Sequence, residues 1–271
     1  MNYQMICCDI DGTLLDSKHR IPDRVKEAVR KAVEEGILFV LVSARTPEAV
    51  RPIQMELGIR GITVCYAGAC IVEDRQVLYS QAIEAEVAKK ICDIAGKYGL
   101  SISLFRGREW FVEQMDDHIQ LEIDITRVFP QITSIHHILQ QCIQEKAGIN
   151  KIMLTASTEK VREVGEILSA IPELQVQIGY SKDNYLEIIP METSKGNAVK
   201  KLCELKDINP QNVIAIGDEN LDISMIQYAG MGVAMGNAIE ELKQAADFTT
   251  RTNDEAGVAY ALERFVLKNA D

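Results

Sequence analysis

The sequence predicts an α/β protein whose core is a doubly wound, Rossmann-like parallel sheet, with a second α+β domain inserted into it. Continuous apolar runs such as Met5–Cys8 alternate with amphipathic helical segments near both ends of the chain. This alternation is typical of a parallel sheet covered on both faces. The middle of the chain instead alternates apolar and polar residues, as half-exposed antiparallel strands do. The length of 271 residues also favours two domains over one.

Turn and helix-capping residues mark the ends of the predicted core elements. The first apolar run stops at the turn-prone pair Asp11 and Gly12. Pro22 lies near the first turn of the next helix, and Gly36 ends that helix. Thr46 is the expected N-cap of a second helix. In order, the predicted core elements are strand 5–8, helix 22–36, strand 37–42, helix 46–58 and strand 62–66, then a helix from Ser194, strand 213–216, a helix from about Asn220, and short elements around 232–234 and 257–267.

The insertion is predicted at residues 83–187, so that 1–82 plus 188–271 form the core domain. Helices are expected near 84–98 and 159–170, and strands near 101–105, 109–112, 152–155 and 176–178. Strands and helices in this arrangement predict an α+β layout for the inserted domain.

Composition and charge restrict the classes of partner. The hydrophobic fraction of 47% and the charged fraction of 25% are ordinary for a folded globular protein. The net charge of −11 disfavours nucleic acid and acidic membrane surfaces, because no basic patch offsets it. The seven cysteines form no C-x-x-C pair and lie mostly in apolar runs, which predicts reduced core thiols. With no signal peptide or membrane-spanning stretch in the sequence, we expect a cytoplasmic protein.

Polar residues that can take part in catalysis or bind a ligand lie just after the ends of the predicted strands. Asp9 and Asp11 follow the first strand, Ser43 follows the second, and Asp218 follows strand 213–216, while Lys195 begins a later helix. Open parallel sheets bind ligands beyond the carboxyl ends of their strands. We therefore expect these residues to meet in one crevice despite their separation in the sequence.

Asp9 and Asp11 suit a phosphoryl-transfer site, because one carboxylate can attack phosphorus while the other handles the proton. Gly12 permits close backbone approach to a ligand. An isolated Asp-x-Asp pair is more often a loop with solvated or helix-capping aspartates, so the pair gains weight only from Asp218. Magnesium, which takes oxygen ligands, would allow the acids to cluster. Asp222 lies one turn further along and could support the metal ligands or be an exposed helix acid.

Phosphoryl transfer also needs donors that neutralise charge on the phosphate oxygens. Ser43 and Lys195 can supply a hydroxyl and an ammonium group. Each residue alone would be ordinary, and only its predicted position at the crevice makes it a candidate.

Together these segments resemble the four motifs of the haloacid dehalogenase superfamily of phosphatases, in its Cof-like branch with a type IIB cap. Asp9-Ile10-Asp11-Gly12-Thr13 is similar to the first motif, Ser43-Ala44-Arg45 to the second, Ser194-Lys195-Gly196 to the third, and Gly217-Asp218 with Asp222 to the fourth. The tail at 232–238 also resembles this branch, so the likeness covers nearly the whole chain.

The resemblance implies a role for each matching residue. Asp9 would be the nucleophile, Asp11 the general acid and then base, and Ser43 and Lys195 the phosphate holders. Asp218 would bind Mg²⁺ together with Asp9 and the backbone carbonyl of Asp11. Asp222 would support these ligands from behind. Further candidates for binding substrate or phosphate are Gly12, Thr13, Ala44, Arg45, Asn220 and Asn237.

Two positions depart from the branch, which usually has asparagine where this chain has Ala67 and Leu221. Asn220 is a doubtful substitute for the second amide, because one residue along a helix rotates a side chain by roughly 100°. The expected activity is hydrolysis of small phosphate monoesters such as sugar phosphates, with the insertion as a lid that sets specificity. The alternatives are a hexose phosphomutase and a catalytically decayed protein that only binds a phosphorylated ligand.

Overall fold

The computed structural model describes residues 3–267, which divide into two compact units. The first unit comprises 3–78 and 194–267, and the second comprises Tyr79–Thr193. The predicted boundaries at 82/83 and 187/188 therefore fall a few residues inside the second unit. The strand Tyr185–Pro190 pairs with the sheet of the second unit, and side chains of that unit also bind the adjoining segments, because Asn150 binds Ser80 and Gln81 while Gln177 binds the backbone of 190–193.

The first unit begins with alternating strands and helices. Its elements are β1 (Met5–Cys8), α1 (Asp23–Glu34), β2 (Leu38–Val42), α2 (Pro47–Leu57), β3 (Ile62–Cys65), β4 (Cys70–Glu73) and β5 (Gln76–Ser80), the last of which ends in the second unit. Thr46 caps α2 as predicted, since its hydroxyl accepts a hydrogen bond from the N–H of Ala49. Gly58 ends α2 with a positive φ of 68°. The short strands β4 and β5 were not predicted.

The second unit has an antiparallel sheet and four helices among its described residues. Its elements are β6 (Ile83–Glu84), α3 (Ala85–Lys97), β7 (Ser101–Arg106), β8 (Glu109–Val112), α4 (Asp117–Thr126), β9 (Gln131–Ile132), α5 (Ile135–Glu145), β10 (Gly148–Ile149), β11 (Lys151–Thr155), α6 (Thr158–Ser169), β12 (Val176–Lys182) and β13 (Tyr185–Pro190). The main sheet has the order β12-β13-β11-β7-β8-β9, in which only β8 and β9 pair in parallel. The α+β layout predicted for this segment agrees with these elements.

The chain returns to the first unit through α7 (Lys195–Lys206), β14 (Val213–Gly217), α8 (Ile223–Tyr228), β15 (Met231–Ala234), α9 (Glu240–Ala245), β16 (Phe248–Thr249) and α10 (Gly257–Phe265). The sheet order of this unit is β16-β15-β14-β1-β2-β3-β4-β5. The strands from β16 to β3 are parallel, and β4 runs antiparallel to β3. The predicted α/β class with a parallel core sheet is confirmed.

The central strands of the first unit are buried on both faces. Every residue of β1 is fully inaccessible, as expected of a parallel strand between two helical layers. Helix α1 buries Val25, Ala28, Val29 and Ala32, one face of the predicted 3.6-residue period. All seven cysteines are free and buried, which confirms the prediction of core thiols. Within 3–267, no helix is long and apolar enough to cross a bilayer.

Candidate active site

Adjacent parallel strands bring Asp9 and Asp218 together. β1 pairs with β14 so that Cys8 lies opposite Ile216, and each aspartate follows shortly after its strand. The N–H of Asp9 extends this ladder by donating to the carbonyl of Ile216 at 3.0 Å. Carboxylate oxygens of Asp9, Asp218 and Asp222 lie within 4.8 Å of one another, and all three residues are buried. The predicted convergence of acids at the strand ends is therefore observed.

Lys195 lies between two of these acids. It is the first residue of α7, a helix capped by Ser194, whose hydroxyl accepts from the N–H of Asn197 at 3.0 Å. Its ammonium lies 2.5 Å from Asp9 Oδ1 and 2.5 Å from Asp222 Oδ1, and only 4% of the residue is exposed. Burial alone would lower the pKa of Lys195, but attraction to Asp9 and Asp222 raises it above its ordinary value.

Asp222 supports both Lys195 and the loop after β14. This fully buried carboxylate accepts hydrogen bonds through Oδ2 from the N–H groups of Asp218 and Glu219, each at 3.0 Å. Its other oxygen accepts from Lys195. Asp222 is therefore not an exposed helix acid, and its carboxylate already has three donors.

The Asp218 carboxylate accepts fewer hydrogen bonds than that of Asp222. The hydroxyl of Thr13 donates to Asp218 Oδ1 at 2.5 Å, whereas Oδ2 points toward Gly12. Gly12 has a φ of +81°, and a Cβ at this position would collide with the Asp218 carboxylate. Close approach and left-handed backbone therefore both require glycine here. The Thr13 hydroxyl, predicted to bind phosphate, is engaged with Asp218 in this structure.

Burial and repulsion between carboxylates raise the pKa values of Asp9 and Asp218. Burial chiefly raises the pKa of Asp9 to about 8, and the attraction of Lys195 only partly offsets it. Burial also raises the pKa of Asp218 to about 6, with Asp222 adding to the increase. Carboxylates of this kind favour either a proton or a cation beside them.

Asp11 and Arg45 form a pair at the exposed side of the site. The guanidinium donates to both carboxylate oxygens at 2.8 and 2.7 Å, and 49% of the Asp11 side chain is exposed. Ser43 is buried, and its hydroxyl accepts from the N–H of Arg45 at 3.1 Å. Ala44 between them is half-buried. Arg45 therefore engages both oxygens of the Asp11 carboxylate.

Asn237 holds the first motif in place. Its side-chain amide donates to the carbonyl of Gly12 at 2.8 Å, and its oxygen accepts from the N–H of Asn253 at 2.9 Å. Asn253 in turn donates to the carbonyl of Leu15 at 2.9 Å. Sequence reasoning missed Asn253, because no local pattern places it beside the first motif.

The two departures from the expected motifs have different surroundings. Asn220 and Leu221 are exposed, the latter by 56%, and Asn220 does not join the buried cluster. Ala67 is buried in a turn with a φ of 54°, between Tyr66 at 52° and Gly68 at 116°. Asparagine occupies such left-handed positions more readily than alanine does, so Ala67 is strained. The roles assigned to individual residues stay predictions.

Comparison with known proteins agrees with this geometry. The profile of the haloacid dehalogenase-like hydrolases matches residues 6–262. The 5-amino-6-(5-phospho-D-ribitylamino)uracil phosphatase YwtE of Bacillus subtilis is 30% identical, over 96% of this chain and 97% of its own. A haloacid dehalogenase-like hydrolase from Bacteroides thetaiotaomicron is 32% identical, with a TM-score of 0.86 over 97% and 99% of the two chains. A subclass IIB sugar phosphatase is 25% identical, with a TM-score of 0.78 over 97% and 99%.

The family match and the named relatives show that the chain is a phosphoric monoester hydrolase, and the parallel sheet with its buried acids and lysine agrees with that class. Several relatives that align along nearly their full length are named as phosphatases. The chain belongs to the haloacid dehalogenase-like hydrolase family, in its Cof-like branch.

Proposed function

We propose that this chain is a Mg²⁺-dependent phosphatase that hydrolyses small sugar or sugar-alcohol phosphates through an aspartyl phosphate on Asp9. The observation that carries the proposal is the contact of Lys195 with Asp9 and Asp222 beside the buried Asp218. A buried cation beside a strand-end carboxylate suits a nucleophile that must approach a dianionic phosphate.

Lys195 also orients the proposed nucleophile. Its contact with Asp9 Oδ1 fixes the orientation of the carboxylate that would attack phosphorus. Burial raises the pKa of Asp9, and Mg²⁺ beside it would lower that pKa and favour the ionised, nucleophilic form.

The donor set fits a hard divalent cation. Carboxylate oxygens are the ligands that Mg²⁺ prefers, and Asp9 and Asp218 each retain an oxygen to which no residue of 3–267 donates a hydrogen bond. Asp222 is already committed to Lys195 and two backbone N–H groups. The four aspartates of the site also outnumber its two cationic side chains. Mg²⁺ held by Asp9 and Asp218 would neutralise charge on the transferred phosphoryl group.

In the first step, a carboxylate oxygen of Asp9 would attack phosphorus while the bond from phosphorus to the ester oxygen breaks. Asp11 would give a proton to the departing oxygen. In the second step, Asp11 would take a proton from water, which attacks the same phosphorus and releases inorganic phosphate. Asp9 is then regenerated as a carboxylate. Ser43 and Lys195 would hold phosphate oxygens throughout.

Two named relatives support the substrate class. YwtE is named for a phosphorylated ribitylamino compound, and the subclass IIB neighbour is named as a sugar phosphatase. Both names specify a phosphate on a polyhydroxylated carbon chain. We further propose that Tyr79–Thr193 acts as the specificity lid, and that the protein works in the cytoplasm, where its seven free thiols stay reduced.

The test is a phosphate-release screen over sugar, sugar-alcohol, nucleoside and aromatic phosphates, with Mg²⁺ and with EDTA. We expect turnover of sugar or sugar-alcohol phosphates only with Mg²⁺, and loss of turnover in Asp9→Asn. Phosphate release that survives in Asp9→Asn or in EDTA would contradict the mechanism. Isomerisation of a hexose phosphate without net phosphate release would indicate a mutase instead.

A further inference from the structure

A single amide side chain of the second unit binds the short segment between β13 and Lys195. Gln177 lies on β12, and its Nε2 is within hydrogen-bonding distance of three carbonyl oxygens near the end of the unit. The acceptors are Pro190 at 3.2 Å, Met191 at 2.5 Å and Thr193 at 2.7 Å. An amide has two hydrogens, so the two short contacts are the principal bonds and the third is shared.

Thr193 has few other restraints. Its N–H donates to the carbonyl of Pro190 at 3.1 Å. Its hydroxyl is buried, with no hydrogen-bond partner in the described residues. The backbone of Thr193 is thus held by one local turn bond and by Gln177, and Gln177 is the restraint that comes from a different strand.

The carbonyl held by Gln177 is rigidly linked to the start of α7. The oxygen of Thr193 and the N–H of Ser194 belong to one planar peptide, so fixing the oxygen fixes the direction of the Ser194 N–H. Ser194 is packed closely, because a Cβ on Gly68 would collide with its carbonyl. Lys195 follows at once, and its Cα can be at most about 7 Å from that of Thr193.

We propose that Gln177 is a positioning residue for Lys195: it acts through the Thr193–Ser194 peptide to keep the ammonium between Asp9 and Asp222. This inference rests on the proposed function, and it assigns to the inserted unit a direct influence on the catalytic lysine. Conformational change at the end of β13 would then alter catalysis as well as substrate choice.

The other linker offers an internal comparison. Asn150 is buried and donates to Ser80 Oγ and to the carbonyl of Gln81, each at 2.8 Å, while its oxygen accepts from the N–H of Gly107 at 2.7 Å. Asn150 therefore holds the chain where it enters the second unit. No residue proposed for catalysis follows that linker closely.

The experiment compares wild type with Gln177→Glu, which replaces the donor with a charged acceptor of the same shape. Gln177→Met, which has similar length and no donor, serves as a second variant that adds no charge. Gln175→Glu is the matched control, because Gln175 lies two residues away and bonds only locally to the carbonyl of Pro172. Asn150→Asp keeps the acceptor for Gly107 and removes the donors to the first linker.

Two readouts are measured on the full chain: kcat and KM for the best ester of the screen with Mg²⁺, and hydrogen exchange of backbone amides without it. Both Gln177 variants should lower kcat by about 10- to 100-fold with a smaller change in KM, since a displaced catalytic group costs rate more than binding. Amides 193–198 should exchange about tenfold faster.

Asn150→Asp should speed exchange at 80–82 and leave kcat within about twofold, while Gln175→Glu should change neither readout. The proposal is overturned if the Gln177 variants keep wild-type kcat, or if Asn150→Asp lowers kcat as much as they do. If wild type releases no phosphate from any ester, the proposed function fails. Unchanged exchange at 193–198 in the Gln177 variants then refutes the positioning role independently.

Discussion

Replacing Asp222 or Asp218 with asparagine should change the stability of the fold in opposite directions. We expect Asp222→Asn to destabilise the fold and Asp218→Asn to stabilise it in the absence of a divalent cation. The reason is that the Asp222 carboxylate is fully engaged with donors, whereas Asp218 bears an ionised group that burial disfavours.

The magnitude for Asp222→Asn follows from its three donors. An amide has one acceptor oxygen, so either Lys195 or the two backbone N–H groups would face the amide nitrogen. A buried donor without an acceptor costs about 1–3 kcal/mol, and more when it is charged. We therefore expect the free energy of unfolding to fall by on the order of 3 kcal/mol.

The magnitude for Asp218→Asn follows from its pKa. The folded value of about 6 lies above the model-compound value of 3.8, so the ionised form is disfavoured in the fold at neutral pH. Each pKa unit corresponds to about 1.4 kcal/mol. An asparagine can still accept from Thr13, so removing the charge should raise the free energy of unfolding by on the order of 3 kcal/mol, while hydrolysis is lost.

The assay is urea unfolding followed by circular dichroism at pH 7.5, in EDTA and again in Mg²⁺. Intrinsic tryptophan fluorescence is unsuitable, because the sole tryptophan, Trp110, lies in the other unit. Mg²⁺ should stabilise wild type by mass action and stabilise Asp218→Asn much less. If Asp218→Asn in EDTA proves as unstable as Asp222→Asn, the assignment of donors to these two acids is wrong.

Three further outcomes are expected. Gly12→Ala should lower both the free energy of unfolding and the activity, because it adds a backbone cost of about 1–2 kcal/mol and displaces Asp218. Gly36 has a similar φ of 84° and open space around it, so Gly36→Ala should show the backbone cost alone in unfolding experiments. Ala67→Gly should raise the free energy of unfolding by about 0.5–1 kcal/mol, because its φ of 54° strains alanine, and no gain would refute that reading. The raised carboxyl pKa values of Asp9 and Asp218 mean that the folded state binds more protons than the unfolded state. In EDTA, the melting temperature should therefore fall as pH rises from 5 to 8. The fall should be smaller in Asp9→Asn.

The fold and the meeting of remote acids were predictable, because both follow from local patterns. Apolar runs that alternate with helical periods specify parallel strands, and parallel strands end at one edge of the sheet. Asp9 and Asp218 could therefore be placed together although 208 positions separate them. Lys195 was placed with them because a helix start at that edge, and the motif it resembles, both pointed there.

Contacts that depend on side chains from distant strands were not predictable. Nothing local links Asn253 to Asn237, or indicates that Arg45 would pair with Asp11. Nor does any local pattern indicate that Gln177 would bind the backbone of residues 190–193. The left-handed backbone of Ala67 was equally hidden, since alanine gives no sign of a positive φ.

The buried thiols offer a way to time the loosening of each unit separately. Five of them lie in the first unit, and two, Cys92 and Cys142, lie in the second unit. Since every sulfur is shielded, a maleimide reagent can modify a given cysteine only while its surroundings transiently open. Mass spectrometry of labelled peptides would therefore rank the opening frequencies of the two units in native buffer, without any denaturant.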